Sequence, residues 1–221
     1  MRGLIFDFDG LILDTEMPDY VSWQGVYREH GVELPLESWA SIVGGTAESD
    51  FDPYEYLEEL VGKKVDREGI WIKRRKDYLD NLESQPILPG VESYLTDAKE
   101  MGLKLGVASS SPENWVVGHL TRLGLLDIFD IICTADDVED TKPDPRLFLL
   151  AAEKMGVSPD EVIVFEDSPN GVLGAKRAGM FVVAVPNQLT SQLDLGQADM
   201  VLDSLDEIPL RELLKRAAEG E

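Results

Sequence analysis

The chain opens on a short apolar run, Gly3-Leu4-Ile5-Phe6, with the length and content of a buried strand. Past residue 16 the spacing turns helical. Asp19 to His30 carries Val21, Val26 and aromatic residues at helical intervals, and Gly31 ends it. Leu36 to Val43 predicts a short helix halted at Gly44-Gly45. Pro53 can open a third helix, with Tyr54, Leu57, Leu60 and Val61 on one face. Asp66 to Leu82 predicts a longer one, rich in Lys and Arg, before Pro86 and Pro89-Gly90 punctuate the chain. From Val91 onward two periods alternate. Helices are expected over 91–101, 112–123, 145–155, 169–178 and 208–218, and strands over 103–109, 128–133, 162–166, 181–185 and 200–202. Strands alternating with helices imply a parallel sheet covered on both faces. The expected fold class is therefore α/β: a doubly wound, Rossmann-like core from residues 1–15 and 87–221, with a small all-α cap at 16–86 inserted after the first strand.

Composition narrows the partners. A net charge of −23 argues against nucleic acid, which needs a basic surface, and opposes long-range attraction of an anionic substrate. The single cysteine, Cys133, excludes an internal disulfide and fits a reducing compartment. Its setting, Ile131-Ile132-Cys133, predicts an inert buried thiol. No apolar leader precedes the first strand and no run approaches membrane-spanning length, so a soluble cytoplasmic protein with no membrane partner is expected, as a monomer or weak homodimer.

The candidate chemistry gathers at strand ends. Asp7 and Asp9, spaced i, i+2 on an extended chain, project to the same side, and Gly10 permits the sharp turn that follows. Two acids at the carboxyl end of a buried strand repel each other, and a divalent cation is the usual compensation. In parallel sheets ligands sit beyond these carboxyl ends. The strand through Val107 ends in Ser109-Ser110-Ser111, and the strand through Val164 ends in Glu166-Asp167-Ser168. Lys142-Pro143-Asp144-Pro145 lies between them. Taken singly, Ser109 could be a helix cap, Lys142 a solvated loop residue, and Glu166-Asp167 the acidic start of a helix. Their order along the chain is what sets them apart.

These four segments resemble the signature motifs of the haloacid dehalogenase superfamily, in its phosphatase and phosphomutase branch with a helical cap. Asp7-Phe8-Asp9-Gly10 with Asp14-Thr15-Glu16 matches the first motif, Ser109 the second, Lys142 the third and Glu166-Asp167 the fourth. The resemblance implies that Asp7 is the nucleophile and that Asp9 is the general acid and then base, which points to phosphate esters. It further implies that Ser109 and the Ser110 N–H bind phosphate oxygens and that Lys142 neutralises the charge in transit. Asp7, the Asp9 backbone carbonyl, Glu166 and Asp167 would hold Mg2+. Gly10 and Thr15 would support the turn, with Thr15 in reach of a hydrogen bond to Asp9.

The same core motifs occur in β-phosphoglucomutases. Those enzymes add a His five residues after the flap Asp, and a Lys and an Arg on the cap; Asp19, Val43 and Ala47 stand here instead. Hydrolysis of a small phosphorylated metabolite, such as a sugar, polyol or nucleoside phosphate, is therefore expected. A phosphomutase is the alternative, and a non-catalytic binding protein the remote one. The C-terminal half, including Phe165 to Val172 and Ala178-Gly179-Met180, is similar to pseudouridine-5′-phosphatases and glycerol-phosphate phosphatases. Specificity is expected from the cap, whose candidates are Trp23, Trp39, Thr46, Trp71 and the run Lys73-Arg74-Arg75-Lys76. The aromatics read better as cap core, and the basic run as a solvated helix face.

Overall fold

A computed structural model describes residues 1–40 and 51–219. Its centre is a six-stranded parallel sheet in the order β3-β2-β1-β4-β5-β6. The strands are β1 (Gly3–Phe6), β2 (Lys104–Ala108), β3 (Ile131–Cys133), β4 (Val162–Glu166), β5 (Phe181–Ala184) and β6 (Met200–Val201). Between them run α5 (Val91–Glu100), α6 (Glu113–Arg122), α7 (Arg146–Met155) and α8 (Pro169–Arg177), and α9 (Leu210–Glu219) closes the described chain. β1 and β4 are buried along their whole length, as near-continuous apolar strands covered on both faces should be. One face of the sheet packs Leu4, Phe6, Val107 and Phe165 with α5, α6 and α9; the other packs Ile5, Val162 and Val164 with α7 and α8. The strand order reverses direction at β1, which has β2 on one side and β4 on the other. A crevice opens at such a switch point.

The helices α1 (Glu16–Glu29), α2 (Leu36–Ala40), α3 (Pro53–Val61) and α4 (Arg67–Glu83) lie between β1 and α5 in sequence. Tyr20, Trp23, Val26, Tyr27, Trp39 and Leu57 form their own apolar cluster, joined by Leu189 from the segment after β5. α4 serves both parts: Ile70 packs against this cluster, while Tyr78 and Leu82 enter the core of the sheet layer.

Several expectations are corrected in detail. α1 begins at Glu16 and not at Asp19, because the Asp14 carboxylate accepts hydrogen bonds from the N–H groups of Glu16 (3.2 Å) and Met17 (3.0 Å). β3 starts at Ile131; the preceding Leu126–Ile128 is a single 3₁₀ turn. Trp71 is not cap core. It is 55% exposed, because the inward edge of α4 runs Ile70, Arg74, Tyr78, Leu82 at four-residue steps and leaves residue 71 on the outer side. The end of the Leu36 to Val43 helix, and Val43, Thr46 and Ala47, lie outside the described residues.

Candidate active site

Backbone pairing sets the site before any side chain does. The Asp7 N–H donates to the Phe165 carbonyl (2.9 Å), extending the ladder between β1 and β4 by one residue. The Ser109 N–H donates to the Cys133 carbonyl (3.0 Å) and extends β2 against β3. The acid pair, the serine and Glu166-Asp167 thus leave the sheet at one edge. Gly10, at φ 80°, then turns the chain back. A Cβ there would strike the Asp167 carboxylate, so only glycine lets the turn pass this close.

Lys142 reaches the same edge from the loop before α7, a loop held by an Arg177 guanidinium hydrogen bond to the Pro143 carbonyl (3.0 Å). Its side chain is 6% exposed, and the ammonium pairs with both Asp7 and Glu166, the latter at 2.5 Å. Glu166 is fully buried and also accepts from the Ser168 hydroxyl (3.1 Å). Asp167 accepts from the Asn187 amide (2.7 Å). Gly171, in the first turn of α8, packs so tightly on Glu166 that a Cβ would overlap its carboxyl group.

Charge is out of balance here. Asp7, Glu166 and Asp167 have carboxylate oxygens within 4.8 Å of one another and are all buried, while Lys142 supplies one ammonium. Burial and then Glu166 push Asp7 up to about 8, against the pull of Lys142. Burial, Asp7 and Glu166 push Asp167 well above the carboxylate range. Burial alone would lower Lys142, but Asp7 and Glu166 outweigh it and raise it. Three buried carboxylates facing a single ammonium are a hard oxygen donor set that suits Mg2+.

The Asp9 side chain makes its hydrogen bonds on the β2 and α6 side of the site. It accepts hydrogen bonds from the Ser111 hydroxyl (2.6 Å), the Trp115 indole N–H (2.8 Å) and, at 3.4 Å, the Ser109 hydroxyl. Thr15 is buried beside the cleft but is not among its partners, which corrects the expected Thr15–Asp9 bond: Asp9 is already claimed from the α6 side. Ser110 is exposed at the mouth.

A cleft of about 810 Å3 connects these groups to the helical wall formed by Glu16, Asp19, Arg74, Arg75 and Tyr78. The basic run divides. Lys73 and Lys76 are exposed and pair with Glu29 and Asp80, as expected of a solvated face. Arg74 and Arg75 instead face the cleft. Arg74 pairs with Asp19, bonds the Ser22 hydroxyl (3.2 Å) and lies 4.9 Å over the Trp23 ring. Burial raises Asp19 and Arg74 opposes that shift; burial, then Asp9, Asp19 and Asp14, push Glu16 up to about 7. Cys133 is buried, and burial pushes its thiol up to about 11, so it is an inert residue as expected.

The sequence did not mark Trp115 or Asn187 as site residues; Arg74 and Arg75 stood among the specificity candidates, but their run read better as a solvated face, and these two line the cleft instead. Asn187 had a signal, since it follows the carboxyl end of β5 on the edge that carries the acids. Trp115 had none, being an aromatic on a helix whose Val116 and Leu120 are core.

A family model described as haloacid dehalogenase-like hydrolase matches residues 4–185. Bacillus subtilis (strain 168) YhcW, provisionally named a phosphatase, is 51% identical over 214 residues, covering 97% of this chain and 96% of its own. The fructose-1-phosphate phosphatase YqaB of Escherichia coli (strain K12) is 32% identical over 194 residues, with 83% of this chain and 95% of its own covered. The crystal structure of β-phosphoglucomutase from Clostridium difficile superposes with a TM-score of 0.72 at 29% identity, over 99% of this chain and 98% of that one.

Proposed function

The chain belongs to the haloacid dehalogenase-like hydrolases, enzymes among which it is a hydrolase of phosphoric monoesters, and from that membership we propose that it is a Mg2+-dependent phosphatase of a small sugar, polyol or nucleoside phosphate. The observation that carries the reading is the buried trio Asp7, Glu166 and Asp167 around Lys142, with Asp9 alongside at the edge where β1 meets β4.

In this mechanism a carboxylate oxygen of Asp7 attacks phosphorus and the ester oxygen leaves with a proton from Asp9. Asp9, now a carboxylate, takes a proton from water as that water attacks the phosphorus of the aspartyl-phosphate, which frees phosphate and restores Asp7. Ser109 and the Ser110 N–H hold phosphate oxygens, and Lys142 offsets the charge on Asp7 and the moving phosphoryl group. Asp7, Glu166, Asp167 and the Asp9 carbonyl would hold Mg2+, which when bound supplies charge neutralisation to the carboxylates and the phosphoryl oxygens. Glu16, Asp19, Arg74 and Arg75 offer the leaving group a wall of hydrogen-bonding partners of both signs, as a polyhydroxylated body would need. The helices of residues 16–86 act as a cap whose movement admits substrate and excludes water.

Phosphate release from p-nitrophenyl phosphate and from a panel of sugar, hexitol and nucleoside phosphates tests the proposal. Turnover that EDTA abolishes and Asp7→Asn removes without unfolding the chain is expected; an Asp7→Asn variant as active as wild type would overturn it. The likeness to β-phosphoglucomutase keeps a mutase as the second reading. Formation of glucose 6-phosphate from β-glucose 1-phosphate with a bisphosphate activator, without free phosphate, would favour it. Asp19 stands at the position of the mutase His and is engaged by Arg74.

A further inference from the structure

The Trp115 indole touches two things at once. Its N–H donates to one carboxylate oxygen of Asp9 at 2.8 Å, while the Ser111 hydroxyl holds the other at 2.6 Å. Its face lies nearly parallel to the Tyr78 ring, with centroids 6.1 Å apart and planes 12° from parallel. Tyr78 belongs to α4 of the helical insert and Trp115 to α6 of the sheet layer, so this stack crosses the cleft. The Arg75 guanidinium lies over both rings, 5.5 Å from Tyr78 and 5.8 Å from Trp115. The His119 ring, on the same helix, packs on the indole in a T-shaped pair with centroids 4.4 Å apart. Neither the indole nor the carboxylate can turn without breaking a contact of the other.

We propose that Trp115 is a positioning residue that links the seating of the helical cap to the aim of the Asp9 carboxyl group. The stack with Tyr78 and Arg75 fixes the plane of the indole. The indole N–H then fixes one oxygen of Asp9, and the Ser111 hydroxyl the other, leaving the group a single orientation. When the cap shifts, the face of the indole loses its partners and the oxygen it aims is freed to rotate. Asp9 delivers its proton to the leaving oxygen only in an orientation that reaches it, so proton delivery is tied to the presence of the cap. This inference rests on the proposed phosphatase mechanism and adds to it the route by which the cap reaches the acid.

Phenyl phosphate and p-nitrophenyl phosphate separate this role from mere support of the fold. The two esters have nearly the same shape, but phenolate is the poorer leaving group and depends more on the proton from Asp9. Trp115→Phe keeps an aromatic ring on the Tyr78 side and removes the N–H donor, with a smaller ring in place of the indole. Its loss of kcat/KM on phenyl phosphate should exceed its loss on p-nitrophenyl phosphate by about tenfold. Tyr78→Leu, which removes the facing ring and leaves the N–H, should produce the same discrimination of about tenfold. Made in the Trp115→Phe background, it should add less than about twofold more discrimination, because both changes break one linkage. Equal losses on the two esters, or discriminations that multiply in the double variant, would overturn the proposal. Wild-type protein that releases phosphate from neither ester nor from any sugar, hexitol or nucleoside phosphate would overturn the phosphatase reading and this inference with it.

Discussion

Gly171→Ala is the most exacting single change the structure offers. The added methyl would overlap the Glu166 carboxyl group. Glu166 is fully buried, pairs with Lys142 at 2.5 Å and accepts from Ser168, so its carboxylate has no free volume to retreat into. Overpacking of this kind costs about 1–3 kcal/mol. Pushing Glu166 off Lys142 disrupts a buried ion pair, whose loss costs about 3–5 kcal/mol. The two are alternatives for the same relaxation, so a loss of about 3 kcal/mol is expected. For a chain of this size that lowers Tm by about 6–12 °C. Gly118→Ala is the control: the position is exposed in the middle of α6 and a Cβ there meets nothing within 4 Å. It should stabilise by about 0.5–1 kcal/mol through helix propensity. Thermal melts of the two variants in EDTA, followed by phosphate release in Mg2+, make the comparison. A Gly171→Ala protein that melts within about 2 °C of wild type and keeps its turnover would refute the close packing of α8 on Glu166.

Burial and like charges raise the Asp7 carboxyl to about 8 from an ordinary value of 3.8. A raised acid costs stability as pH climbs from the unfolded value through the folded one, so metal-free protein should lose stability between pH 4 and 8. Asp7→Asn should flatten that fall, and a wild-type melt in EDTA that rises with pH over the window would contradict it. For the same reason Mg2+ should bind with proton release and tighten as pH rises, which calorimetry in buffers of different ionisation heat reads directly. Lys142→Met should cut kcat by about 10²–10³-fold, the scale of losing one preorganised charge at a developing negative centre. Undiminished kcat would exclude Lys142 from the reaction. Trp71→Ser should change stability by no more than about 0.5 kcal/mol in chemical denaturation, since its ring is on the outer side of α4. A larger loss would return it to the cap core.

What could be read in the sequence, and what could not, divides by distance along the chain. The strands and the helices between them were legible because apolar runs and helical spacing are local, and parallel order then sends Asp7, Ser109 and Glu166 to one edge. Lys142 was legible through motif order, although the ion pair it makes with Asp7 joins residues 135 apart. The Trp115–Asp9 bond joins residues 106 apart and the Arg74–Asp19 pair residues 55 apart, and nothing local marks either. Arg74 and Arg75 look the same as Lys73 and Lys76 in sequence. Only the angle at which α4 lies against the cleft separates the inward pair from the outward one. Trp71 misled for the same reason: hydrophobic character alone does not say which side of a helix is covered.

The short segment after β5 has a mechanical consequence. Asn187 clasps Asp167 with its side-chain NH2, and its side-chain Oδ1 accepts from the N–H groups of Leu189 (2.9 Å) and Thr190 (3.0 Å). Leu189 is itself embedded in the apolar cluster of the inserted helices. Two residues of chain therefore tether the acid trio to the interior of the neighbouring lobe, like a pin through both leaves of a hinge. A change in how that lobe is seated would therefore be felt directly at Asp167.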